Sequence, residues 1–201
     1  MLEVLTIDKH EEILWQVSKK VDFTEKDLQQ NMDDIVEWCL STNSAYAMAA
    51  IQFGIAKRIV YIKHTKLDNS DTSNENSQIL MINPEIISKQ GRTEFWEACL
   101  SGLDNLGLVE RPYKLVVKYQ DGEGKEHIQE FEGFSATVVS HELDHLDGIF
   151  HMDRAKKLIK LQRSDRVEYR KAHPYKVISK TCEFEYEPIK KEDKSENFSR
   201  L

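Results

Sequence analysis

His141-Glu142-Leu143-Asp144-His145 is the stretch from which the rest of this chain can be read. The H-E-x-x-H spacing puts two imidazoles four residues apart, one above the other on a helix face. At ~100° per residue, Glu142 lies about 60° around that helix from His145 and shares the same spot. Two neutral imidazoles with an adjacent carboxylate suit a hydrolytic metal site, the carboxylate serving as general base for the water that the ion activates. Val139, Leu143 and Leu146 form an apolar stripe roughly opposite the histidines, so the helix is expected to carry core on one side and the site on the other.

Working outward, composition narrows the class. With 201 residues, 40% hydrophobic and 31% charged, the chain suits one globular domain of mixed class, large enough for a core without disulfides. The three cysteines, Cys39, Cys99 and Cys182, share no repeated spacing, which argues for a reducing compartment. A net charge of -7 argues against generic nucleic-acid affinity. There is no long apolar run for a membrane span, and Met1–Leu5 lacks the basic-then-apolar pattern of a leader. A soluble, cytoplasmic protein is expected.

Along the chain, residues 10–20 and 24–41 read as helices, the second capped by Thr24, with Cys39 as a plain core thiol in its apolar stripe. Arg58–Lys63 and Ile79–Ile87 read as strands around a polar surface loop, His64 to Gln78. Lys114–Tyr119 and Glu126–Glu132 flank Asp121-Gly122-Glu123-Gly124 as a hairpin. Asp153–Ala172 reads as a basic, solvated helix ended by Pro174. Alternation of Cys182, Phe184 and Tyr186 with glutamates reads as a half-buried strand, followed by a polar tail from Lys190.

A hydrolytic site of this kind usually takes a third protein ligand. His151 would complete the metzincin protease spacing, with Gly148 turning the chain. That family also needs a methionine turn downstream, and none of the five methionines lies beyond Met152. The competing ligand is Cys99, in Glu97-Ala98-Cys99-Leu100-Ser101. This block resembles the E-G-C-L-S motif of peptide deformylases, whose H-E-x-D-H-L-x-G motif His141–Gly148 matches at every specified position. Ala47-Met48-Ala49-Ala50-Ile51-Gln52-Phe53-Gly54 resembles that family's G-L-A-A-P-Q-V-G. Three blocks in order, over roughly residues 1–160, favour Cys99 and leave His151 as a partly exposed histidine after the helix.

The resemblance implies removal of the formyl group from newly made proteins that begin with formyl-methionine. Cys99, His141 and His145 would hold one divalent ion, Fe²⁺ in much of the family, with Zn²⁺, Ni²⁺ or Co²⁺ also suited to thiolate and imidazole. Glu142 would move the proton, and the Gln52 side chain and Leu100 backbone N–H would steady the oxyanion. The peptide would add as a strand near Ala47 and Ala98. The implied partners are formylated nascent peptides, met at the ribosome, without membrane or direct nucleic-acid contact. The implied fold is α+β, short antiparallel strands around a central H-E-x-x-H helix. A single catalytic domain is expected over 1–175, with residues 176–201 as a C-terminal strand and tail.

Departures fall on the substrate side. Ala47 and Ala98 replace family glycines, Gly102-Leu103 replaces an apolar-proline pair, and Leu106 stands where an arginine is frequent, although Arg111 matches a second one. Tyr46 and Phe134 would border the pocket for the methionine side chain. The alternatives are a paralogue with altered substrate, a non-catalytic metal-binding module, and a protease cutting internal bonds.

Overall fold

The computed structural model describes residues 2–42, 45–63 and 78–189. Its elements are α1 (Ile7–Leu14), α2 (Leu28–Ser41), β1 (Ala47–Ala49), β2 (Ile59–Lys63), β3 (Gln78–Glu97), β4 (Asn105–Arg111), β5 (Lys114–Gln120), β6 (Glu126–Glu132), α3 (Phe134–Leu146), α4 (His151–Arg154), β7 (Lys157–Lys160), α5 (Arg166–Ala172) and β8 (Lys176–Glu183). A 3-10 turn, Ala50–Phe53, follows β1. The architecture is α+β with antiparallel pairing throughout the sheet: β1-β2-β3-β4-β7 in order, with β5 and β8 also on β3, and β6 on β5.

The strand expected over Ile79–Ile87 is one part of the much longer β3. Its polar middle, Ser88 to Arg92, is laddered to β5 and β8. Gln78 opens this strand rather than closing the preceding loop, and residues 64–77 of that loop lie outside the described residues. Asn83 bends β3 at a left-handed φ of 52°, its side chain bonded to both the N–H and the carbonyl of Val21 at 2.7 and 3.0 Å.

The hairpin expected at 114–132 is present with its turn residues in their expected roles. Asp121 Oδ1 accepts the N–H groups of Glu123 and Lys125, and Gly124 takes φ +84°.

Both N-terminal helices depart from the expected ranges: α1 spans Ile7–Leu14 rather than 10–20, and α2 starts at Leu28 rather than just after Thr24. The chain leaves α1 after Leu14 because Ser18 and Lys19 donate their N–H groups to Leu146 and Ala56, docking the segment beside α3. Thr24 does not cap α2: its N–H and hydroxyl both bind the Asp22 carboxylate in a tight turn, and Asp27 precedes the first helical residue. Leu28, Met32, Ile35 and Cys39 are buried at helical spacing, and burial pushes the Cys39 thiol up to about 12, as an inert core thiol requires.

The basic helix expected over Asp153–Ala172 is broken into α4, β7, a 3-10 turn and α5. Pairing of β7 with β4 satisfies backbone groups that a continuous helix would leave unpaired on β4. Arg166 is buried, donating to the carbonyls of Leu161 and Leu103. Past Pro174, Phe184 is buried and Tyr186 half-buried between exposed Glu183, Glu185 and Glu187, although the ladder itself ends at Glu183. The tail from Lys190 lies outside the described residues.

The stripe on α3 is core: Ala136, Val139, Leu143 and Leu146 pack with Ala49, Val60, Met81, Leu115, Val117 and Phe131. The helix ends at Gly148, which has φ +67° and lies so close to Trp15 that an added Cβ would stand 2.3 Å from its carbonyl oxygen. Gly148→Ala should therefore cost on the order of 1–3 kcal/mol in urea unfolding, from left-handed strain plus the clash. A loss below ~0.5 kcal/mol would show that the α1–α3 junction yields freely.

Candidate functional site

Three separate parts of the chain converge at one point. Cys99 lies just past the end of β3, Gln52 in the 3-10 turn after β1, and His141, Glu142 and His145 on α3. The N-terminal segment ties the two loops together: Leu5 N–H donates to the Gln52 carbonyl at 2.8 Å and Ile7 N–H to the Ser101 carbonyl at 2.9 Å. Gln52 Oε1 accepts the Ala49 N–H at 2.9 Å, which fixes the amide orientation and turns Nε2 toward Cys99 Sγ and Ser101 Oγ, each at 3.2 Å.

Cys99, His141 and His145 each offer a donor atom, and these atoms lie within 4.8 Å of one another. Cys99 Sγ is 3.3 Å from His145 Nε2. His141 Nδ1 is 2.8 Å from Glu97 Oε2, so that ring nitrogen is an N–H donor and Nε2 is the one left for the site. A soft sulfur with two imidazoles is a donor set for Fe, Zn, Ni or Co. The electrostatics fit a cation as well. Burial opposes charge on His141, yet Cys99 and Glu97 hold its pKa well above the ordinary value, so this point attracts positive charge. Burial, followed by the neighbouring His141, holds His145 well below its usual value and keeps it a neutral donor.

Glu142 is buried beside them, and its Oε2 has no partner among the described residues. Burial pushes its carboxyl up to about 7, against the pull of His141. Such a group exchanges protons readily near neutrality.

Behind the donors runs an ionic network that motif reading left without a role. Arg111 donates to both oxygens of Glu97 at 2.8 and 2.9 Å and to Asp144. Arg154 grips Asp144 through two further bonds at 2.6 and 2.7 Å. Burial opposes the charge on Glu97, but Arg111 outweighs it and holds the carboxyl well below its usual range. Tyr186 closes the network from the C-terminal segment, its hydroxyl accepting from Arg111 and its ring lying under Arg154. The available signal was that Glu97, Arg111 and Asp144 sat at matched motif positions. Arg111→Met would leave two buried carboxylates short of a partner and should cost about 3–5 kcal/mol in urea unfolding. A loss under ~1 kcal/mol would mean that Arg154 and solvent suffice.

His151 is buried, 1% exposed, rather than partly exposed as expected. It stacks on His141 at 5.7 Å and faces the Asn105 carbonyl with Nε2 at 3.3 Å, outside the donor group. Two glycines make room for its ring: an added Cβ at Gly102 would stand 2.9 Å from His151 Cε1, and one at Gly107 3.2 Å from Cδ2. This accounts for Gly102 where a bulkier residue was expected. Leu106 is fully buried in β4.

A cavity of about 160 Å³ opens in front of these groups. Tyr46, Ala47, Ala98, Leu100 and Phe134 all line it, whereas Gly102, Leu103 and Leu106, also expected on the substrate side, do not. Tyr46 is 50% exposed at the rim, while Phe134 packs edge-on against Phe95 and Tyr175. β1 sits at an end of the sheet, with one backbone edge beside the cavity.

Comparison with known proteins places this arrangement. A family model described as polypeptide deformylase matches residues 1–161. The peptide deformylase of Rhizobium meliloti is 37% identical over 73% of this chain and 81% of its own length. A crystal structure of a probable peptide deformylase from synechococcus phage S-SSM7 is similar with TM-score 0.66 and 33% identity, covering 77% of this chain and 99% of that one. A Met-Ala-Ser-bound structure of the class I type b peptide deformylase from Acinetobacter baumannii has TM-score 0.65 and 30% identity, with coverage of 77% and 99%.

Proposed function

This chain belongs to the peptide deformylase family, and on that premise we propose that it hydrolyses the N-terminal formyl group of proteins beginning with formyl-methionine. The observation that carries this reading is the convergence of the Cys99, His141 and His145 donor atoms within 4.8 Å, with Glu142 and Gln52 beside them.

Cys99, His141 and His145 would hold one divalent ion, Fe²⁺ in the cell, with Zn²⁺, Ni²⁺ or Co²⁺ able to substitute. Bound there, the ion supplies Lewis acidity toward water and the formyl oxygen. Glu142 takes a proton from the attacking water at its partnerless Oε2 and delivers it to the leaving amine. Gln52 Nε2 and the Leu100 backbone N–H steady the oxyanion, and the bond from Ala49 aims the Gln52 amide in advance. Glu97 sets the His141 ring, and Arg111 sets Glu97. The peptide adds along β1 beside Ala47, with Ala98 opposite and its methionine side chain between Tyr46 and Phe134.

The helix α3 serves as the hub of this fold, a role supported by its apolar face packing into the strand cluster. Residues 1–175 form the catalytic domain, and of the segment 176–201 that follows it, β8 adds to its sheet. The protein acts in the cytoplasm on formylated nascent chains at the ribosome. No helix among the described residues is long and apolar enough to cross a membrane.

The test is deformylation by anaerobically purified protein loaded with Fe²⁺ or Ni²⁺, comparing formyl-Met with formyl-non-Met peptides. Turnover selective for formyl-Met supports the reading. Metal-loaded protein inert toward both would leave a non-catalytic metal-binding module. Ala47 and Ala98 hold a peptide backbone slightly away from where glycine would let it lie, so Ala47→Gly with Ala98→Gly should raise kcat/KM for formyl-Met peptide at least several-fold. No gain from a wild type already efficient on that peptide would rule out crowding.

A further inference from the structure

The cavity has a charged lip that no step of the hydrolysis uses. Among the described residues lining it, Arg170 is the one Lys or Arg side chain. It stands on α5, beyond residue 161, where the family match ends. Its Nε donates to the Trp96 carbonyl at 2.9 Å, and its guanidinium lies over the Phe95 ring at 4.9 Å from the centroid. One hydrogen bond and one ring face thus hold the group at a set place, two residues before Ala98 on the path proposed for the substrate. Tyr46, which also lines the cavity, is near enough to interact with it electrostatically.

No carboxylate of the described residues pairs with Arg170. Its neighbour Arg166 forms a long contact with Asp104 at 3.9 Å, and Arg154 is spent on Asp144. Burial, followed by Arg166, lowers the Arg170 pKa, while Glu97, which forms no ion pair with it, pulls it back up. A guanidinium fixed by its Nε and its ring face still presents its terminal N–H groups as a fork, the shape that matches a carboxylate.

We propose that Arg170 is a specificity-determining residue that binds a carboxylate of the substrate, an Asp or Glu side chain at the first or second position after the formylated methionine. This rests on the deformylase reading. It makes the C-terminal helix α5 part of the substrate site, and it makes the enzyme a selective processor of chains with acidic starts.

Four amidated peptides, which carry no terminal carboxylate, test the inference: formyl-Met-Ala-Ser-amide, formyl-Met-Asp-Ser-amide, formyl-Met-Ala-Asp-amide and formyl-Met-Lys-Ser-amide. Metal-loaded wild type should favour at least one Asp peptide over the Ala-Ser peptide by about tenfold in kcat/KM, mainly through KM, and less at high salt. In Arg170→Gln the acidic-to-neutral ratio should fall to about one. Arg170→Lys should retain part of it, which separates lost charge from a displaced α5. Calorimetric binding of the products Met-Asp-Ser-amide, Met-Ala-Asp-amide and Met-Ala-Ser-amide gives the same comparison without turnover. Turnover of every peptide without an acidic preference, or a preference that survives in Arg170→Gln, would overturn the inference alone. No turnover of any peptide would overturn the deformylase reading, and the inference with it.

Discussion

Glu142→Ala should abolish most hydrolysis while leaving the metal in place. The side chain is not one of the three donors, so metal content by mass spectrometry should match wild type. Its work is moving a proton, and general acid–base groups contribute about 10²–10⁴ in rate. Stability should move the other way. Glu142 Oε2 is buried without a partner among the described residues, and an unpaired buried carboxyl costs free energy. The variant should therefore unfold at the same or higher urea concentration, the signature of a group kept for chemistry at the expense of the fold. Near-normal turnover by metal-loaded Glu142→Ala would sink the proton-transfer role.

Cys99→Ala should lose nearly all bound metal and, with it, activity. Sulfur is one of the three donors that the described residues bring together, and two imidazoles alone make a weak site. Metal binding adds directly to folding stability, so the variant should also melt earlier than metal-loaded wild type. The control is His151→Ala. Its ring is fully buried between Gly102 and Gly107, so removal should cost stability on the order of 1–3 kcal/mol while metal content stays nearly unchanged. Equal metal loss in both variants, or loss in His151→Ala alone, would make His151 a ligand.

His151 marks where sequence reading stops. Its exclusion as a ligand rested on the absence of a methionine turn and on three blocks that resembled another family. Nothing in its neighbours along the chain indicated burial, because the space it occupies is made by glycines on a loop and a strand far away in sequence. The helix boundaries erred for a related reason. α1 stops at Leu14, short of the expected residue 20, as Ser18 bonds to Leu146, and α2 starts at Leu28 because Thr24 bonds to Asp22 instead of capping a helix. The charge-rich stretch after α4 carries good helix formers, and only the open edge of β4 turns part of it into β7.

The sequence by itself determined the chemistry: two histidines and a glutamate on one helical face, a cysteine in a matching block, a glutamine in another. It also determined the apolar stripe of α3 and the 114–132 hairpin. The helical pair with its glutamate, the stripe and the hairpin are properties of residue type and of spacing within a few positions, where helix and strand periods and turn chemistry act directly, whereas Cys99 and Gln52 were legible only through the resemblance of their blocks to the deformylase family. Tertiary structure alone decided that Glu97, Arg111, Asp144, Arg154 and Tyr186 form one network, that His151 is enclosed, and that Arg170 stands at the lip of the cavity. Each is a contact between segments far apart along the chain. Partners of that kind are chosen by which charges and surfaces burial brings together, and burial at such a distance leaves no period to read.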